Sequence, residues 1–293
     1  MKPTPTTSRT TCWWIAAATA ALLGCSSAPP APTPASTIAP AGSVKGHATR
    51  HDAASLAGVV AQAQVALPAG VAGPAPWFGR WSALPADLKG PVPVLVFLHG
   101  SSGLQLPAIA EWQRWLAGRG VASVAPDSFA LPGRVTYQSP IAVEMYEAIH
   151  ALRASEIDAM QAALAGAAWA DPQRRLLAGT SEGAVAVARH DGRGFAGRVL
   201  FAWSCEDNYF VQAPRTAPAP QLPVLNVISA SDPFFSPANR WLGNAAARGH
   251  CGAALAAHPQ ATMVLLAGAP HTLLNLPAAR HALDGFLKDT VLR

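Results

Sequence analysis

Ser181 lies in LLAGTSEGAVAVAR (176–189), with Gly179 and Gly183 each one position removed from it. An apolar run precedes this G-x-S-x-G pentad and alanine and valine at helical spacing follow it, so the serine sits on a strand-to-helix turn. Such a turn is too tight for flanking Cβ atoms, and it pushes the serine out over the sheet edge at a strained backbone angle. The chemistry this suits is nucleophilic attack. A serine hydroxyl is a poor nucleophile at neutral pH, so it requires a base to take its proton and an acid to orient that base. With a pentad of this kind the expected chain order is serine, acid, histidine, each partner on a loop after a later strand. Asp232 follows the apolar run VLNVIS and His271 follows MVLLAG, which fits both order and placement. Asp207 precedes a loop aromatic cluster, His250 and His281 lie in helical contexts, His258 stands ahead of a strand, and His99 precedes the serine. These are weaker candidates, and His99 reads as a structural residue at a strand end.

Acyl transfer also requires donors for a tetrahedral oxyanion. One is expected from the backbone N–H of Glu182, at the N-terminus of the helix after the nucleophile, where the helix dipole favours negative charge. The second is expected from the turn His99-Gly100-Ser101-Ser102-Gly103, with the Ser101 N–H preferred and Ser102 as fallback. Trp203, Tyr209, Phe210, Phe234 and Phe235 are candidates for either the pocket wall or the core. Only about 20 residues, 204 to 223, separate two strands here, too few for a large lid, so the pocket is expected to be shallow.

The elements that must hold these residues alternate along the chain. Strands are expected at 91–100, 121–129, 175–179, 199–203, 224–228 and 262–267. Helices are expected at 108–117, within 140–170, after Ser181, at 238–248 and at 277–287. Regular alternation with near-continuous apolar strands indicates a parallel sheet covered by helices on both faces.

In order and spacing, HGSSG (99–103), APDSF (125–129), GTSEG (179–183), SASD (229–232) and APH (269–271) resemble the dienelactone hydrolase branch of the α/β-hydrolases, over about residues 75 to 290. That resemblance implies an eight-stranded, mostly parallel sheet, with 59–66 and 77–84 as candidate early strands. It also implies a Ser181-Asp232-His271 triad working through an acyl-enzyme and water, with no metal and no organic cofactor. The enzymes that name the branch use a cysteine nucleophile where this chain has Ser181, so lactone specificity does not carry over. A small-molecule ester or lactone of modest size is the expected substrate. A peptidase or acyltransferase on the same triad, and a non-catalytic envelope binding protein of the same fold, are the alternatives.

The 293 residues suffice for one large α/β domain. The formal charge of +5 arises from 13% charged residues with no basic block or aromatic-basic interleaving, which argues against nucleic acid as a partner. At the N-terminus Lys2 and Arg9 precede the apolar run Trp13 to Gly24, too short to span a bilayer, which reads as a signal peptide over 1–24. The run ends on Leu22-Leu23-Gly24-Cys25, which resembles a bacterial lipobox. Cys25 would then be lipidated and hold an exported protein at a membrane surface, and Ser26 favours the outer membrane, facing the periplasm. An ordinary cleaved signal is the alternative. Residues 25–45, rich in proline, alanine and serine, read as a tether, and 46–293 as the folded domain. Removal of Cys12 and lipidation of Cys25 leave Cys205 and Cys251, which are expected to pair as a disulfide in an oxidising compartment.

Overall fold

The structure, a computed structural model, describes residues 39–293 apart from Arg215 and Pro218. The expected signal peptide, the lipidation site at Cys25 and most of the tether lie outside the described residues. Within them the chain opens with strand β1 (Ser43–Lys45), helix α1 (Ala53–Ala61), strands β2 (Gln64–Leu67), β3 (Trp77–Arg80) and β4 (Val92–Leu98), and helix α2 (Pro107–Gly118). Strands β5 (Ala122–Ala125) and β6 (Thr136–Gln138), helix α3 (Val143–Ala165), strand β7 (Ala170–Thr180) and helix α4 (Glu182–Arg189) follow. Strands β8 (Gly197–Phe201), β9 (Val224–Ser229) and β10 (Ala261–Leu266) and helix α5 (Pro277–Thr290) complete the domain.

Eight strands form one sheet in the order β10-β9-β8-β7-β4-β5-β2-β3. All neighbours are parallel except β2, which runs antiparallel to both β3 and β5. From β4 the chain builds outward to β5 on one side, then crosses to β7 and builds outward on the other. The carboxyl ends of β4 and β7 therefore flank a topological switch point, where open α/β sheets form their ligand crevices. Val94 to Leu98 of β4 are all buried, because helices cover both faces. Side chains such as Val94, Val96, Leu177 and Leu200 face α3 and α4, whereas Leu95, Phe97, Leu176 and Phe201 face α2 and α5. This is the doubly covered, mostly parallel sheet expected of the α/β-hydrolase fold.

Four local expectations are corrected. Residues 238–248 form turns instead of a helix. Asn239 Oδ1 accepts from the Trp241 N–H at 3.0 Å and Asn244 Oδ1 from the Ala246 N–H at 2.9 Å, while Gly243 sits at φ 81°. Side chains that bond their own backbone two residues on compete with helical bonding. The stretch 59–66 is split: Val59 belongs to α1, which starts on an Asp52–Ser55 capping box, and the strand begins only at Gln64. Strand β3 ends at Arg80, and Trp81–Ala83 continue as a 3₁₀ turn. Finally, the last three residues of the expected tether, Ser43–Lys45, pair antiparallel with β6.

Candidate active site

Strand β7 ends at Thr180, and Ser181 turns the chain into α4 with φ 52° and ψ −121°. A positive φ is costly for a residue with a Cβ and persists only where surroundings impose it. Here they do. The Ser181 N–H donates to the Phe201 carbonyl of β8 at 3.0 Å, and the Ser181 carbonyl accepts the Ala184 N–H at 2.9 Å. A Cβ on Gly179 would stand 2.7 Å from the Gly183 backbone, and one on Gly183 would collide with the Leu98 and His99 carbonyls at the end of β4. The two glycines thus let α4 rise directly against β4 and β7.

Asp232 stands in the loop after β9 and is fully buried. Its Oδ1 accepts the Phe234 and Phe235 N–H groups at 2.9 and 3.0 Å, and its Oδ2 lies 2.7 Å from His271 Nδ1. A carboxylate only accepts, so Nδ1 carries the proton and Nε2 is left as an acceptor. The His271 loop is anchored by the Ser229 hydroxyl, which donates to the Ala269 carbonyl at 2.7 Å, and the ring packs edge-on against Phe234. His271 and Ser181 line the same two recesses. One, about 110 Å³, is walled by Tyr137, Ser139, Tyr209, Phe210, Phe234 and Phe235. The other, about 40 Å³, is walled by Leu106, Ile109, Leu274 and Thr272. Ser101 and Ser102 line both. Trp203, offered by the sequence as a pocket residue, lies in the core, edge-on behind Phe235.

Other clefts are larger without holding comparable chemistry. One of about 610 Å³ contains Ser55 and His51, 3.2 Å apart, with His51 in turn 3.2 Å from Glu156. Ser55 is occupied by its helix cap: it accepts the Asp52 N–H at 2.9 Å and lies 3.1 Å from the Asp52 carbonyl as donor. A cleft of about 650 Å³ is lined by Arg189, Arg193 and Asp191 among others, and Arg189 and Arg193 are each paired with an acid. Asp207, the competing acid, offers its backbone carbonyl to Asn244, whereas Asp232 holds His271.

Glu182, expected to act through its backbone N–H, also has a buried side-chain role. Its carboxylate pairs with Arg134 at 2.5 Å, accepts the Tyr137 hydroxyl at 2.9 Å and lies 3.9 Å from Arg153. Burial, and then the adjacent Glu182 charge, hold the Tyr137 phenol well above its ordinary pKa, so it stays a donor. A charged residue between Ser181 and Gly183 was the available signal, because a carboxylate buried at an elbow requires a cation. Among the described residues no group of histidine, cysteine and acidic side chains suited to a metal ion occurs.

Cys205 and Cys251 are joined by a disulfide, with Cα atoms 4.7 Å apart. It ties the loop that carries Tyr209 and Phe210 to the segment before β10. Asn226 braces the same junction, donating to the Leu200 and Trp203 carbonyls and accepting the Cys251 N–H at 3.2 Å.

No protein-family model and no curated protein matches this sequence. Solved structures do resemble the fold. Est1E from Butyrivibrio proteoclasticus, in a structure with ferulic acid bound, is 14% identical with a TM-score of 0.50, covering 71% of this chain and 93% of its own. A putative dienelactone hydrolase from Klebsiella pneumoniae is 18% identical with a TM-score of 0.49, covering 70% and 88%. The dienelactone hydrolase-like promiscuous phosphotriesterase P91 from metagenomic libraries is also 18% identical with a TM-score of 0.49, covering 69% and 87%. At these identities the likeness bears on fold alone.

Proposed function

We propose that the protein is a serine hydrolase of small to medium esters or lactones, of the dienelactone hydrolase-like kind, acting through an acyl-enzyme on Ser181. The observation that carries this reading is the 2.7 Å contact between Asp232 and His271, with His271 lining the same recesses as a serine held at φ 52°. With Nδ1–H held by Asp232, His271 Nε2 takes the Ser181 proton as Oγ attacks the ester carbonyl. The oxyanion is received by the N–H of Glu182, the first residue of α4 and so without an intrahelical partner, and by that of Ser101. Collapse breaks the ester C–O bond, and the proton passes from Nε2 to the departing alkoxide. Water then repeats the sequence on the acyl-enzyme, losing its proton to Nε2 and releasing the acid and Ser181.

The recesses support modest substrate size. One side of the scissile bond meets aromatic rings in about 110 Å³, and the other meets aliphatic side chains in about 40 Å³. The buried disulfide supports an exported protein, in keeping with the lipobox-like leader and an anchor at Cys25. A serine-directed fluorophosphonate with peptide mapping tests the assignment: label is expected on Ser181, and Ser181→Ala is expected to lose label and several orders of magnitude of short-chain ester turnover. Label on another serine, or full activity in that variant, ends the proposal. Amide substrates and added alcohol acceptors in the same assay distinguish a peptidase or acyltransferase.

A further inference from the structure

Resting on the serine-hydrolase reading, we propose that His99 is a positioning residue whose Nδ1–H holds the Gly100 carbonyl and so aims the Ser101 N–H at the oxyanion. His99 is fully buried at the end of β4, and its Nδ1 lies 2.7 Å from the carbonyl oxygen of Gly100. Which ring nitrogen carries the proton is fixed from the other side. Nε2 receives the Ser128 N–H at 3.2 Å, a group that cannot accept, while Arg153 Nη1 stands against the ring at 3.1 Å from Nε2 and 3.4 Å from Nδ1. Nε2 is therefore the acceptor and Nδ1 the donor. Burial first, and then the Arg153 charge, hold the ring well below its ordinary pKa, so it stays neutral. Arg153 is itself anchored by Glu156 at 3.2 Å and also donates to the His99 carbonyl at 3.1 Å.

The consequence passes through one peptide plane. The cis bonds among the described residues are Gly90–Pro91 and Ser139–Pro140, so the Gly100–Ser101 peptide is trans and its N–H points opposite to its carbonyl. Drawing that carbonyl inward to His99 turns the Ser101 N–H outward. Ser101 lines both recesses that contain Ser181, and a Cβ placed on Gly100 would stand only 3.2 Å from the Ser181 Cβ. Little else fixes this plane. Ser101 and Ser102 are exposed, and among the described residues the further bond to the Gly100 carbonyl is the 3.1 Å contact from the Gly103 N–H that closes the turn.

Two variants separate the halves of the ring. In His99→Asn the amide nitrogen can occupy the place of Nδ1 and keep the Gly100 bond, while the Ser128 contact is lost. In His99→Gln the longer side chain reaches toward the Ser128 N–H and gives up Gly100. Rates are measured per active site titrated with fluorophosphonate, which removes any difference in folded fraction. The expected result is a kcat for His99→Gln reduced by about 10- to 100-fold with KM within about threefold, and a kcat for His99→Asn within about threefold of the parent. A trifluoromethyl ketone, whose adduct carries the oxyanion, should weaken in step with kcat. Equal losses in the two variants, no loss in His99→Gln, or a loss confined to KM would overturn the positioning role. Ser181→Ala in the same assay keeps the two readings apart: if it is inactive while the His99 variants behave alike, the hydrolase assignment stands and only the role of His99 falls. If it is fully active, both fall.

Discussion

Asp232 has two duties: one carboxylate oxygen holds the Phe234 and Phe235 N–H groups, and the other holds His271. Asp232→Asn can keep the first duty through its carbonyl, so the loop stays in place. It fails the second, because an amide NH₂ facing Nδ1 moves the ring proton to Nε2, where it can no longer accept from Ser181. Turnover of a short-chain ester is expected to fall about 10⁴-fold in Asp232→Asn and further still in His271→Ala, and the double variant should cost little beyond the histidine change alone. Effects that multiply independently in kcat/KM, or an Asp207→Asn variant as damaging as Asp232→Asn, would remove Asp232 from the assignment. That Ser181, Asp232 and His271 come together was legible in the sequence because each follows an apolar strand, and strand ends share one edge of a parallel sheet. Arg134, Tyr137 and Arg153 were not legible. They reach Glu182 from the approach to β6, from β6 itself and from α3, through tertiary contacts that no local spacing records.

Helix α3 carries a titration that the sequence does not reveal. His150 is buried against Tyr146 and Phe210, and neither of its ring nitrogens has a hydrogen-bond partner among the described residues. Burial, followed by the Arg189 charge, depresses its pKa to about 4. Between that value and the ordinary histidine range near 6.5 the unfolded chain binds the proton and the folded chain does not, so stability falls as pH drops through this window. His99 adds an effect of the same sign. In thermal melts from pH 7 to pH 5, above most carboxylate titration, His150→Phe should show a smaller loss of Tm than the parent; an unchanged slope would mean that His150 is not held neutral by the fold. Element boundaries were legible to a similar, limited degree. Continuous apolar runs marked β4, β8 and β9 because both of their faces are covered. The 238–248 stretch misled because its apolar spacing is helical, whereas Asn239, Gly243 and Asn244 divert the backbone into turns.

At the scale of the whole domain, the sheet leaves β10 as an edge strand with Met263 and Leu265 exposed, and the 230–260 connection that precedes it is mostly turns. Such a connection has few helical bonds of its own, so its position depends on cross-links to the better-packed centre. The Cys205–Cys251 disulfide is the covalent one, closing a separation of 46 residues. By loop-closure entropy a link of that span contributes about 4 kcal/mol, an upper figure where the unfolded chain retains structure. Its place also matters for the site, because residues 205–210 supply the Tyr209 and Phe210 wall and residues 232–235 supply Asp232 and two phenylalanines. A Cys205→Ser/Cys251→Ser protein should therefore melt well below the parent, with ester KM rising more than kcat falls at temperatures where it remains folded. Thiol labelling of the denatured, unreduced parent should find neither cysteine free. Two labelled cysteines, or identical melting and KM in the serine variant, would show that the aromatic wall is held by packing and by the Asn226 bonds alone.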